Sequence, residues 1–283
     1  MAWHSGTAEQ RRARIGPVEI HYQVAGAGDP LVLIHGLSGS CRWWSRNVAD
    51  LARSFRVYVV DLVGFGNSRN GHPFVLAEAA QYLAGWMRQI GIARACVLGH
   101  SMGGFIAAEL AADYPEQVER LILVDAAVLP FEQSYTAHTL SMFREARQIS
   151  LSFMPILFGD ALRAGFGTIW KAANELLMHD LRPKLARISA PTLVIWGEKD
   201  AIIPLAAGKR LSQYLRYDEL VIVKGAGHNP MWDCPRAFNQ VVAEFLTAPV
   251  TGRERTVGCD APSRPRRVPR AADGRAQPSP GQR

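Results

Sequence analysis

The 283-residue chain is 48% hydrophobic and carries a formal charge of +7, with enough apolar material for one large core or two small ones. No run approaches the roughly 20 apolar residues of a membrane span, so stable membrane insertion is not expected. Nor does the charge mark a nucleic-acid surface: residues 251–283 hold eight arginines against Glu254, Asp260 and Asp273, which leaves +2 for the rest of the chain.

In chain order, "MAWHSGTAEQRRARIG" lacks the apolar centre of a secretory signal. The four cysteines, Cys41, Cys96, Cys234 and Cys259, are far apart and form no CxxC, so free thiols in a reducing cytoplasm are expected. "VEIHYQV" (18–24) alternates with period two and, with the residues before Gly16-Pro17, predicts an opening hairpin. "LVLI" (31–34), "VYVV" (57–60), "CVLG" (96–99), "LILV" (121–124), "TLVIW" (192–196) and "LVIV" (220–223) are short apolar runs suited to strands buried on both faces of a parallel sheet. Helical patterns fall at 43–52, 75–90, 101–114, 205–215 and 235–246. This alternation predicts a doubly wound α/β fold with right-handed crossovers.

Between Val124 and Thr192 lie 67 residues, far more than one crossover needs. Residues 126–188 are therefore expected to form a helical cap over the C-terminal edge of the sheet, where open α/β folds bind ligands. The core is assigned to 11–125 and 189–247. The tail, 248–283, is rich in Pro, Arg, Gly and Ala without apolar periodicity, and is expected to be disordered from about residue 249.

Gly99-His100-Ser101-Met102-Gly103 fits G-x-S-x-G between a predicted strand and a predicted helix, the context that motif requires. Glycines at 99 and 103 remove side chains that a sharp turn would force together. A serine there needs a base, and the base needs an orienting carboxylate. His228, in "VKGAGHNP" after the last of these strands, stands at the correct edge. His100 is sent away from the serine hydroxyl by the turn, and His35 is read as shaping its loop. Asp200, in "WGEKDAIIP", supplies the acid, in the order Ser101…Asp200…His228. Asp125, directly after "LILV", is the rival, and Asp61 is read as bonding its own loop. The backbone N–H groups of Leu37 and Met102 are the expected oxyanion donors, each such donor being worth roughly 3–4 kcal/mol.

Together "HGL", "DLVGFGNS", "GHSMGG", "GEKD" and "GAGH" resemble the α/β-hydrolase superfamily in content and order, over roughly residues 11–247. The resemblance implies an eight-stranded, mostly parallel sheet with a cap, and hydrolysis through an acyl-enzyme. Relatives that dehalogenate alkanes or open epoxides use aspartate where this chain has Ser101. No HExxH or clustered Cys/His set is present, and Arg69 takes the place of the third glycine in "GFGNSR". Neither a metal nor a dinucleotide cofactor is therefore expected.

The first functional reading is a serine hydrolase of carboxylic esters with short to medium acyl chains. Trp43, Phe105, Phe131, Phe143 and Trp170 are candidates for an apolar acyl pocket. Lactone cleavage and C–C bond hydrolysis of ring-cleavage products use the same triad. A binding or receptor module without turnover is the reading from a different class, and the complete Ser/Asp/His order weighs against it.

Overall fold

A computed structural model of the protein describes residues 8–69, 71–130, 149–216, 218–248, 252 and 254–260. Its strands are β1 (Glu9–Ile15), β2 (Val18–Ala25), β3 (Pro30–Ile34), β4 (Arg56–Val60), β5 (Ala95–His100), β6 (Val118–Val124), β7 (Thr192–Gly197), β8 (Asp218–Lys224) and β9 (Glu254–Gly258). They join in one sheet of order β1-β2-β4-β3-β5-β6-β7-β8-β9. β1 and β2 form the opening antiparallel hairpin, β2 pairs antiparallel with β4, and every later pairing is parallel. The central strands β5 and β7 are buried along their whole length, which is why they read as unbroken apolar runs.

Alternate residues of these strands feed two apolar layers. Val32, Ile34 and Val97 face one side and pack with α2 (Leu76–Gln89), α3 (Met102–Asp113) and, further along the sheet, α7 (Leu205–Ser212). Leu31, Leu33 and Leu98 face the other and pack with α1 (Val48–Leu51), α8 (Pro230–Asp233) and α9 (Pro235–Thr247). The insertion contributes α4 (Met154–Ala164), α5 (Phe166–Met178) and the short α6 (Arg182–Leu185). Its segment "FEQSYTAHTLSMFREARQ" (131–148) lies outside the described residues.

Three expectations change. The helix expected over 43–52 is split into a 3-10 turn, Cys41–Trp44, and the four-residue α1. Asn47 sits between them with its amide turned inward, donating to Met231 O at 3.0 Å and Asn239 Oδ1 at 2.8 Å, a tertiary demand that helical periodicity does not carry. The tail is ordered further than composition implies, because Glu254–Gly258 add a ninth strand parallel to β8. The exposed backbone edge of β8 is a template for it, and Arg255 bonds Glu219 at 2.9 Å and Glu244 at 3.0 Å. The cysteines also divide. Cys41 and Cys96 are buried free thiols, whereas Cys234 and Cys259 form a disulfide.

Candidate active site

β5 ends on Gly99-His100, the chain turns at Ser101, and α3 begins at Met102. The turn holds Ser101 at φ 53° and ψ −118°, a conformation that costs a residue with a side chain about 1–3 kcal/mol. Two glycines make it possible. A Cβ on Gly99 would strike the Gly103 carbonyl, and one on Gly103 would strike the carbonyls of Ile34 and His35. The Ser101 N–H is anchored to Val124 O at 2.9 Å, while its carbonyl accepts from Gly104 N at 2.9 Å and Phe105 N at 3.2 Å. Ser101 therefore caps α3, whose N-terminal dipole favours negative charge at this spot.

The loop after β3 lies against the nucleophile: a Cβ on Gly36 would stand 3.1 Å from Ser101 Cβ. His35 shapes this loop. Its Nε2 accepts from Leu62 N at 3.1 Å, so Nδ1 carries the proton and donates to Gly36 O at 2.8 Å. Burial keeps its ring neutral by pushing its pKa below the ordinary histidine value. Leu37 is half-buried at the tip and Met102 is buried at the first turn of α3, the two positions expected to present oxyanion N–H groups.

His228 follows β8, and its Nδ1 lies 2.8 Å from Asp200 Oδ2, both side chains being buried. Asp200 is itself fixed, with Oδ1 accepting from Ile202 N at 2.8 Å and Ile203 N at 2.9 Å. A carboxylate at Nδ1 selects the tautomer in which Nε2 is the basic nitrogen. The rival acid has another duty: Asp125 Oδ1 accepts the Gly197 N–H at 2.9 Å and so ties the end of β6 to the end of β7. Its carboxylate nevertheless stands within 4.8 Å of the ligand atoms of Asp200 and His228.

His100 does more than sequence reasoning gave it. Its side chain turns behind the site, and Nε2 donates to the His228 carbonyl at 2.7 Å with the two rings 4.9 Å apart. Burial, reinforced by the neighbouring His228, holds its pKa well below the usual value, so it braces the loop as a neutral donor. Its adjacency to the nucleophile in "GHS" was the available signal.

The pocket candidates separate. Trp43 is buried against His35, His100 and Phe153. Phe105 is buried one turn into α3, with its ring meeting His179 of the insertion. Trp170 is 60% exposed and stacked on Phe166, outside any enclosed pocket. Phe131 and Phe143 lie outside the described residues.

A cap latch had no sequence signal beyond one aspartate in an apolar helix. Asp160 of α4 is buried, accepts from Ser40 Oγ at 2.7 Å and pairs with Arg42 Nη2 at 2.5 Å, so α4 is fastened to the loop that follows Leu37.

The described residues thus hold Ser101 in a strained strand–helix turn and His228 against a fixed carboxylate, with Leu37 and Met102 at the positions expected of oxyanion donors. The family model described as "Alpha/beta hydrolase family" matches residues 31–241, most of the chain and every one of these parts. The chain belongs to the α/β hydrolase family.

Relatives of this α/β hydrolase carry several activities. A 2-hydroxy-6-oxononadienedioate/2-hydroxy-6-oxononatrienedioate hydrolase of Escherichia coli (strain K12 / DH10B) is 30% identical over 267 residues, covering 82% of this chain and 92% of its own length. The enzyme of that name from Paraburkholderia xenovorans (strain LB400) is 28% identical and covers 82% and 91%. Among solved structures, a membrane phospholipase A superposes with a TM-score of 0.74 at 28% identity, covering 85% of this chain and 86% of that one. The enol-lactonase from Burkholderia xenovorans LB400 gives 0.70 at 26% identity, covering 84% and 100%. Among the described residues, no helix of this hydrolase is long and apolar enough to cross a membrane.

Proposed function

We propose that this α/β hydrolase cleaves the C–C bond beside a ketone in a vinylogous 1,5-diketone, the chemistry of ring-cleavage products. One observation carries the reading. The Asp200–His228 pair and the Ser101 elbow stand in a chain that spans over nine-tenths of the length of curated hydrolases named for 2-hydroxy-6-oxo dienedioates. Simple ester cleavage, the first reading from sequence, has less support.

Ser101 Oγ adds to the ketone carbon while its proton passes to His228 Nε2, with Asp200 holding the imidazolium. The electron pair moves to the carbonyl oxygen, which the N–H groups of Leu37 and Met102 receive. Re-forming the carbonyl breaks the C–C bond, and that pair spreads into the conjugated chain as a dienolate. His228 returns the proton to this leaving group, and water then hydrolyses the ester on Ser101 to release the acid. The hard part is a carbon leaving group. Vinylogy solves it by making that carbon part of an enolate.

A second reading, ester cleavage, is supported by the apolar insertion and by the likeness to a membrane phospholipase A. The two readings share every step except the leaving group. Parallel kcat/KM measurements on a 2-hydroxy-6-oxo dienoate and on p-nitrophenyl esters graded by chain length separate them. The C–C reading expects the dienoate to be preferred by at least about tenfold. Preference for esters by that margin overturns it.

A further inference from the structure

The loop after β3 is held from two sides, and one of the holds comes from the cap. Gly39 N–H donates to Gly36 O at 3.1 Å, closing a turn with Leu37 and Ser38 at its tip. That bond uses Gly36 O and Gly39 N–H, which keeps the Leu37 N–H out of the turn's own bonding. Ser38 stands at φ 64°, the left-handed region that the third position of a type II turn requires and that favours glycine. A side chain in that region persists only where its surroundings over-determine the backbone.

On one side the hold is β3 and His35. The His35 ring donates to Gly36 O at 2.8 Å, and a Cβ on Gly39 would stand 2.9 Å from both His35 Nδ1 and Trp43 Cε2. On the other side the turn runs into Ser40, whose hydroxyl donates to Asp160 Oδ2 at 2.7 Å and accepts from Arg42 N at 3.2 Å. Arg42 gives Asp160 Oδ1 two more bonds, from Nε at 3.2 Å and Nη2 at 2.5 Å, and reaches Ile156 O at 3.4 Å. Both oxygens of a carboxylate only 1% exposed are thereby committed to the segment just after Leu37.

An ion pair this buried is a poor source of stability, because desolvating the charges offsets what their attraction returns. What it supplies is direction. Asp160 is the one acid in α4, and α4 is seated on the core just before its first turn. There Phe153 is buried between Trp43 and Trp232, with ring centroids 5.3 and 4.7 Å away. The helix therefore rests on the core at one end and grips the Leu37 loop further along.

We propose that Asp160 is a positioning residue for catalysis: through Ser40 and Arg42 it sets the Leu37 N–H as an oxyanion donor, so that α4 and this loop act as one unit. The inference rests on the oxyanion role of Leu37, which the C–C and the ester readings share.

The test compares the parent, Asp160→Asn, Ser40→Ala and the double variant on p-nitrophenyl butyrate. Competent sites are counted with a fluorophosphonate that labels Ser101 to completion. Removing an oxyanion donor outright costs about a hundredfold to a thousandfold in kcat, and a loosened one should lose part of that. Asp160→Asn is expected to lower kcat per labelled site by about tenfold or more, with KM within about threefold of the parent. That split marks an interaction made in the transition state. Ser40→Ala leaves the Arg42 pair in place and carries the test if Asp160→Asn does not fold. It should lower kcat by about threefold or more, with KM again little changed. The double variant should be no slower than Asp160→Asn, since both changes act through one contact. Unchanged kcat per labelled site overturns the proposal, as do losses that add in the double variant. A raised KM with kcat intact also overturns it, by assigning Asp160 to substrate binding. A parent that neither labels nor turns over the ester overturns the hydrolase reading and this inference together. Failure on the dienoate alone, with the ester pattern as expected, overturns the C–C reading and supports this one.

Discussion

Two buried histidine–aspartate pairs stand among the described residues of this protein, and their local geometry is nearly the same. His228 Nδ1 lies 2.8 Å from Asp200, and His21 Nδ1 lies 2.9 Å from Asp61. Their surroundings differ. His21 sits on β2, with Nε2 near Gln10 Oε1 at 3.4 Å and its backbone N–H bound to Ser68 Oγ. Asp61 also accepts from Cys41 N at 2.6 Å and Asn67 N at 2.8 Å, so it joins β2, the loop after β3 and its own loop after β4. Burial alone would raise its carboxyl; the bond to His21, the nearby His35 and those two amides together hold it below the ordinary value. The His228 pair instead follows β8 and β7 at the C-terminal edge of the sheet, the edge at which β5 runs into Ser101. A histidine–aspartate bond orients a ring, and what the ring is oriented toward decides whether that matters for chemistry.

The largest expected contrast is between activity and stability. Ser101→Ala should cost about three or more orders of magnitude in kcat, because triad members act as a unit, with little change in melting midpoint. Asp200→Asn should lose about a thousandfold or more through the wrong tautomer. His21→Ala should do the reverse: about 3 kcal/mol of stability lost by stranding Asp61, with kcat per folded molecule within a few-fold of the parent. Kinetics and thermal melts on the same preparations check all three. Full activity in Asp200→Asn together with its loss in Asp125→Asn would move the acid to Asp125.

A smaller effect separates the histidines by pH. His35 and His100 are held below their ordinary pKa by burial, so the unfolded chain binds protons that the folded chain refuses. Stability therefore rises with pH wherever the unfolded state holds more protons, and falls as pH drops below about 6.5. Each ring contributes a slope of at most about 1.4 kcal/mol per pH unit in that window. Denaturant melts between neutral pH and the mildly acid range should show the decline, and His100→Asn should remove about half of it. A slope that His100→Asn leaves untouched would show that this ring is not kept neutral.

The smallest expected effect concerns the tail. A chain ending at Ala248 loses β9 and the disulfide, and should be less stable by about 2 kcal/mol. One ending at Asp260 keeps both and should melt with the full chain. Equal midpoints for the two truncations would mean that β9 adds nothing to the sheet.

The two ends of the site were unequally legible in the sequence. Strands β3 to β8 and most core helices announced themselves, since an apolar run of four or five residues has few ways to be buried other than between two helical layers. The placement of Ser101, Asp200 and His228 was readable for a related reason: each ends or follows such a run, so the fold class delivers all three to the C-terminal edge of the sheet, where Asp200 and His228 meet. The cap gave less. Its helical character was visible, but Trp170, expected in a pocket, stands exposed, because periodicity marks an amphipathic face without saying what covers it.

What the sequence determined by itself was therefore whatever depends on neighbours along the chain: the apolar runs, the glycine-flanked turn at Ser101 and the strand ends that carry Asp200 and His228. What only the tertiary structure decided were pairings between residues far apart. Asp160 meets Arg42 across a separation of 118 positions, and Cys234 meets Cys259 although their spacing fits no motif. Arg255 finds Glu219 only once β9 has added to β8. His100 and His228, 128 positions apart, meet only once β5 to β8 lie side by side. Local pattern reports the burial each residue seeks, whereas a hydrogen bond or ion pair is fixed by the direction from which its partner arrives, and that direction exists only after the layers have packed.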